Sequence, residues 1–321
     1  MKAGAPAATI GVLLEDKSTG SSNQNTQYGS AALRMAIRNK DYNLIRILSL
    51  ETDIHGVEAI DDGEESLGYL DALGEAILQK DCTAVRILLD KGGDPNAIVA
   101  FDGLHQHAPR SSSNSVLLRM TALLVAIDIG DSAMVELLVQ SGANVNRDSS
   151  GGLLRTPLQR ASEIGDFGLV QYFIAQGAEI NAAAVYGGGT ALQLAAMSGH
   201  VGIAALLIEN GADVNHPPAR GPGRTAFEAA AEWCRPDMMR FLVQHGAQLG
   251  LEVEEEVEEP SGEYGMASWT TVRRSRTQYE RAIQFAEDRG QHASKAIVHS
   301  LGRQLWGNMD NGCDEFLAVE L

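Results

Sequence analysis

The chain is short of cysteine, of basic charge and of long apolar runs, and each shortage removes a class of protein. Of its 321 residues three are cysteine. Cys82, Cys234 and Cys313 are odd in number and far apart, so they read as free thiols of a reducing compartment rather than a disulfide framework. Lys and Arg total 25 against 42 acidic residues, a formal net charge of −17. Phosphate contacts need a basic stripe, so a nucleic-acid binder is excluded, and an anionic membrane surface is disfavoured for the same reason. No apolar run is long enough to cross a bilayer. Ile10 to Leu14 is a short apolar stretch without the basic flank of a secretory leader, and Asn-x-Ser/Thr sequons are absent. A soluble intracellular protein, cytoplasmic or nuclear, is the expectation.

What the chain does have is enough apolar residues for a core, 44%, and a pattern that returns. Thr121 to Asn146 reads TALLVAIDIGDSAMVELLVQSGANVN. Leu123, Ala126 and Ile127 share one face of a first short helix, Gly130 breaks it, and Met134, Val135, Leu137, Leu138 and Val139 stripe a second helix at helical spacing. Gly142 ends that helix in the left-handed conformation glycine tolerates best. Copies begin at Thr156, Thr190 and Thr225. With Thr121, these threonines are 35, 34 and 35 residues apart, and the closing glycines Gly142, Gly177, Gly211 and Gly246 keep the same steps. Length alone suggests about two domains, but two short helices and a turn every 33 residues or so signal stacked units that share one core.

Weaker copies frame these four. The first-helix core position falls on Leu33, Leu73, Leu123, Leu158, Leu192, Phe227 and Ile283, with steps of 40, 50, 35, 34, 35 and 56. The long steps locate insertions. Seven repeats are expected near 28–60, 67–97, 118–150, 153–186, 187–221, 222–250 and 277–302. The expected insertions are a polar finger at 98–117 and a charged stretch at 250–276. A flexible lead at 1–27 and an acidic tail at 303–321 complete the chain. Glu252 to Glu259, six of its eight residues glutamate, reads as a solvated, self-repelling linker, with contact to a basic partner or a fold-back onto Arg273, Arg274 and Arg276 as the alternatives. Gly302 is expected to close the last unit. That unit serves as a cap wetted by Glu287, Asp288, Arg289 and Lys295, onto which Trp306 docks.

Thr156-Pro157-Leu158, Thr190-Ala191-Leu192 with Ala195-Ala196 and Gly199-His200, and Gly211-Ala212-Asp213-Val214-Asn215 resemble the ankyrin repeat, over about residues 28 to 302. The resemblance implies an all-α solenoid of helix-turn-helix units with β-turn or hairpin fingers. It also implies a non-catalytic scaffold or adaptor that holds a protein partner on its concave side. The alternative is a regulatory fragment of a larger multidomain protein. Such repeats usually carry His after Thr-Pro-Leu. Here Leu124, Gln159, Gln193 and Glu228 stand instead, which is expected to weaken individual turns.

By this register the concave positions include Asp128 and Ile129, then Arg160, Glu163 and Ile164, then Leu194 and Met197, then Glu232 and Trp233. An apolar line (Ile129, Ile164, Met197, Trp233) runs beside an acidic one (Asp128, Glu163, Glu232). A groove for a basic or apolar-anchored protein segment is therefore expected, with Trp233 its chief anchor. Finger tips, among them Tyr186, form a second contact set. A monomer is expected, with no cofactor and no metal. Gly187-Gly188-Gly189 lacks the phosphate-loop form, and His105-Gln106-His107 lacks further ligands at metal spacing. Cys82 and Cys234 stand at helix starts, where thiol pKa values can fall, but no His is placed to serve as base.

Overall fold

The computed structural model describes residues 22–55, 58–59, 69–101, 119–147, 155–183, 187–261 and 268–306. It divides into two compact units, Met1–Pro157 and Leu158–Leu321, and in both the all-α repeat reading holds. The first unit contains three helix pairs: α1 (Ser22–Arg38) with α2 (Tyr42–Glu51), α3 (Ala72–Leu78) with α4 (Cys82–Asp90), and α5 (Ala122–Asp128) with α6 (Ser132–Gln140). The second contains four: α7 (Pro157–Ile164) with α8 (Phe167–Ala175), α9 (Ala191–Ser198) with α10 (Val201–Glu209), α11 (Ala226–Glu232) with α12 (Pro236–Gln244), and α13 (Gln278–Asp288) with α14 (His292–Trp306). First helices pack on first helices and second on second: α1, α3 and α5 in one row, α9, α11 and α13 in another.

The helix starts are written locally. Thr121, Thr190, Thr225 and Thr277 cap first helices, each hydroxyl accepting a backbone N–H one turn on. Asp41, Asp81, Asp131 and Asp166 do the same for second helices. A carboxylate there answers both the orphan N–H groups and the positive end of the helix. Part of the acidic excess is thus spent on caps rather than on a partner. Leu33, Leu73, Leu123, Leu158, Leu192 and Phe227 are all essentially buried, as the register predicts, whereas the seventh position, Ile283, is only half-buried and Ala282 and Ala286 fill the core of α13 instead.

Consecutive units are also joined by side chains that read backbone. In the first, the Asn96 amide donates to the Gly142 carbonyl at 3.1 Å and accepts the Asn144 N–H at 2.7 Å. In the second, Asn181 bridges Gly211 and Asp213, and Asn215 bridges Gly246 and Gln248, in the same two-bond manner. Hence the fixed spacing of Gly-Ala-x-x-Asn: the asparagine of one turn is cut to fit the glycine of the next. His55 makes a comparable link. Its Nδ1 lies 2.9 Å from the Asp71 carboxylate, and its Nε2 accepts the Asp94 N–H at 2.8 Å.

The residues standing where His was expected do not leave loose turns. The Gln193 amide donates to the His216 and Pro217 carbonyls at 2.9 and 3.1 Å, while its oxygen accepts the Thr190 N–H at 2.9 Å. Gln159 reaches the Ala182 carbonyl at 3.1 Å. A primary amide offers the donor and acceptor that the imidazole would have supplied, so the expected weakening is corrected at both positions.

Four further expectations change. The lead is shorter than expected, because α1 begins at Ser22; nothing from Ser22 to Tyr28 is a Gly or Pro that would stop a helix. Glu252 to Glu259 is not a linker. It lies in β5 (Glu252–Ser261), which pairs antiparallel with β6 (Ser268–Thr277), setting Glu255 opposite Arg274 and Glu256 opposite Arg273. The Ser275 hydroxyl donates to the Glu252 carboxylate at 3.2 Å. The fold-back alternative is the one seen. Gly302 closes nothing. It is buried inside α14, where an added Cβ would meet the Tyr279 ring at 2.8 Å; close packing of that ring, not a left-handed turn, requires the glycine. The tail loses its first residues to α14, which runs to Trp306, and the Trp306 and Tyr279 ring centroids stand 5.2 Å apart, edge to face. In the first unit β1 (Glu58–Ala59), β2 (Tyr69–Leu70), β3 (Ile98–Phe101) and β4 (Arg119–Thr121) form one antiparallel sheet. The 98–117 insertion thus opens on a paired stem, and its His105 and His107 lie outside the described residues.

Truncating a shared core side chain is expected to be costly. Leu192→Ala should lower the unfolding free energy in urea by about 2–5 kcal/mol. The cap should be acid-sensitive. Burial, with Lys295 and Arg303 nearby, holds the His299 imidazole below its ordinary value of 6.5, and its Nδ1 is hydrogen-bonded to the Tyr279 hydroxyl at 2.7 Å. The unfolded ring takes a proton first as pH falls, so this contribution is present above the ordinary value and lost below it. The stability difference between wild type and His299→Gln should therefore be constant at neutral pH and shrink in mild acid. A difference unchanged between the two would contradict this.

Candidate functional site: the first-helix ends

Each first helix stops at a residue whose backbone turns sharply. In the second unit these turns are Gly165, Gly199, Cys234 and Gly290, all at positive φ. Gly165 shows why the position is constrained beyond its φ of 87°: an added Cβ would lie 2.5 Å from the His200 ring, which packs over it from the next unit. Cys234 occupies a glycine position with a φ of 51°.

The residues just before these turns form a row, and neighbours hold it in register. The Ser198 hydroxyl donates to the Glu163 carbonyl at 2.9 Å. Arg235 Nε donates to the Met197 carbonyl at 3.2 Å. Arg289 Nε donates to Glu232 Oε1 at 3.0 Å. The orphan carbonyls of Glu163 and Met197 are thus satisfied by side chains from the following unit. Adjacent helices stand about 8–10 Å apart, so Ile164, Met197 and Trp233 are spread over roughly 20 Å.

Exposure sorts the sequence-predicted residues. Ile164 and Trp233 are each 40% exposed, large for apolar side chains that nothing in the stack requires to be on the surface. Met197 is half-buried. Leu194 is 4% exposed, packed where α9 meets its neighbours, so it is a core residue and the contact role expected of it is corrected. Asp128 and Ile129 are half-buried at the end of α5 in the first unit, where the Ile129 carbonyl accepts Lys80 Nζ at 3.0 Å. Tyr186 lies outside the described residues. The fingers flanking it are tied by Gly187 N–H donating to the Arg220 carbonyl at 2.9 Å.

The acidic line is largely neutralised from within. Glu163 pairs with Arg160 at 2.8 Å. Glu232 is buried and shared by two guanidinium groups, Arg224 Nε at 2.9 Å and Arg289 Nε at 3.0 Å. Arg289 also lies over the Trp233 ring at 4.1 Å, and Arg224 over the Phe285 ring at 3.5 Å, stacking that favours guanidinium on an aromatic face. Beneath them Arg281 and Glu228, 4% and 0% exposed, form a buried pair at 2.8 Å. Glu228 occupies the position of Gln193 and still accepts the Thr225 N–H.

Arg289, Arg224 and Phe285 are therefore part of the site, and sequence reasoning missed them. Arg289, expected on the wetted outer face of the cap, is 45% exposed there and also reaches across to Trp233. The signal was there, because Arg289 precedes Gly290 as Trp233 precedes Cys234 and Ile164 precedes Gly165. Phe167, 48% exposed at the start of α8, was also missed. Of the thiols, burial and Asp131 push Cys82 above its ordinary value, so its place at a helix start does not activate it. Among the described residues no group of three or more His, Cys, Asp or Glu side chains is placed to hold a metal, and no helix is long and apolar enough to cross a membrane.

Three copies of a family model for ankyrin repeats match the chain, over residues 73–184 and 158–252. A search of characterised proteins finds no match.

Removing Arg281 should expose the weight of the buried pair. Arg281→Ala leaves a buried carboxylate without its cation and is expected to cost about 3–5 kcal/mol in chemical denaturation. Adding Glu228→Gln, the residue type that serves at 159 and 193, should recover part of that loss. A double variant no more stable than Arg281→Ala alone would show that the pair is not what fastens the cap.

Proposed function

The chain belongs to the ankyrin repeat family, and on that premise we propose that it is a non-catalytic scaffold that docks one protein partner along the first-helix ends of its second unit. Ankyrin repeats are generally protein–protein interaction modules. The observation that carries the finer reading is the exposure of Trp233 and Ile164, 40% each, in a row whose carboxylates already have guanidinium partners within the chain. Such a surface suits a segment that inserts apolar or aromatic side chains, and it gives less to a purely basic one, since Glu163 and Glu232 each have a guanidinium partner. Trp233 is the chief anchor, braced by Arg289, with Ile164 and Met197 extending the contact. The protein acts as a monomer in this reading.

Capture of partners by the intact chain, compared with Trp233→Ala, tests it. Truncating a hot-spot tryptophan costs about 2 kcal/mol or more, so retention of the partner should fall by roughly thirtyfold. Leu50→Ala, at an exposed position of the first unit, should leave retention unchanged. Equal retention by all three proteins would overturn the assignment.

A further inference from the structure

The environment of Trp233 is locally basic in a chain that is strongly acidic. Arg224 and Arg289 share the single carboxylate of Glu232, and Arg235 reaches the Met197 carbonyl beside them. Glu163 is balanced by Arg160, and Arg281 by Glu228. Asp288, on the exposed side of α13, is bonded by the Gln284 amide at 2.9 Å. The surface therefore presents an indole and a thioether bordered by surplus guanidinium charge. Its complement is a segment that mixes apolar side chains with carboxylates.

The chain carries such a segment itself. Residues 307–321 read GNMDNGCDEFLAVEL. They contain Asp310, Asp314, Glu315 and Glu320, no Lys or Arg, and the apolar set Phe316, Leu317 and Val319. They leave α14 at Trp306, whose ring packs on Tyr279 near the start of α13. Arg289 is at the other end of α13, about 15 Å away at 1.5 Å per residue. Ten steps from Trp306 to Phe316 can span up to about 33 Å, so Phe316 reaches Trp233 with slack. A tether of so few residues gives an effective concentration of roughly the millimolar range, enough to populate even a weak contact.

We propose that residues 314–319 occupy the Trp233 surface in cis, with Phe316 and Leu317 against the indole and Asp314 and Glu315 toward Arg289 and Arg224. The inference rests on the docking surface proposed above. It adds that a partner must displace this tail, which makes the tail an intramolecular competitor.

The test uses the full-length protein and the indole N–H of Trp233, followed by NMR and assigned through Trp233→Phe. Two tail variants are compared with wild type: Phe316→Ala with Leu317→Ala, and Asp314→Lys with Glu315→Lys. All four positions lie outside the repeats, so the stack is left intact. Both variants should shift the indole resonance and speed its hydrogen exchange roughly tenfold, as expected when a covering contact is lost, and the change should not depend on protein concentration. An indole unaltered in both variants overturns the proposal. So does a change that disappears on dilution, which would assign the contact to a second copy of the chain. The two readings fail separately. Partner retention that depends on Trp233 while the tail variants leave the indole unchanged discards the tail and keeps the docking surface.

Discussion

No helix pair in this chain can close its own core. Each first helix is only seven to eleven residues long apart from α1, too short to be stable alone, and its buried side chains face neighbours on both sides. Leu192 and Phe227 are sealed only because α9 and α11 pack on each other and α13 packs on α11. The rest follows from that dependence. Turns must repeat at fixed spacing so that each asparagine finds the next glycine carbonyl. Helix ends must be satisfied from the next unit, and the last unit must be fastened with more than apolar contact.

The fastening is electrostatic. Arg281 and Glu228 are both buried, and above them Arg224, Glu232 and Arg289 form a chain of charges stacked on Phe285 and Trp233. A buried ion pair is a poor source of net stability but costly to break on one side, so it specifies which partner helix belongs there. The same arginines that anchor the cap also brace the one exposed tryptophan of the row. That place lies where the regular repeats give way to an insertion and an irregular final unit.

The repeat was legible because its signals are local and periodic. The returning threonines, Thr190 among them, mark the period, and Gly211 as helix end follows from backbone chemistry that one unit displays. The apolar row was legible too, since register alone placed Ile164, Met197 and Trp233. What was not legible came from pairing across distance. Glu252 to Glu259 looked like a self-repelling run until the opposing Arg273, Arg274 and Arg276 were set beside it. Arg289 is the solvated cap residue the sequence suggests, but its reach to Trp233 could not be read, because 56 residues separate the two. Leu194 looked exposed because an idealised register ignores how closely neighbouring alanine-rich helices approach; Ala195, Ala196, Ala229, Ala230 and Ala231 let α9 and α11 come close enough to bury it.

The central claim is that function resides in a surface several units share. Hydrogen exchange of the intact chain, alone and in complex with a retained partner, measures this most directly. The account predicts new protection concentrated at the C-terminal turns of α7, α9, α11 and α13, around Ile164, Met197, Trp233 and Arg289. Protection confined to the second helices α8, α10 and α12, with those four turns unchanged, would contradict it.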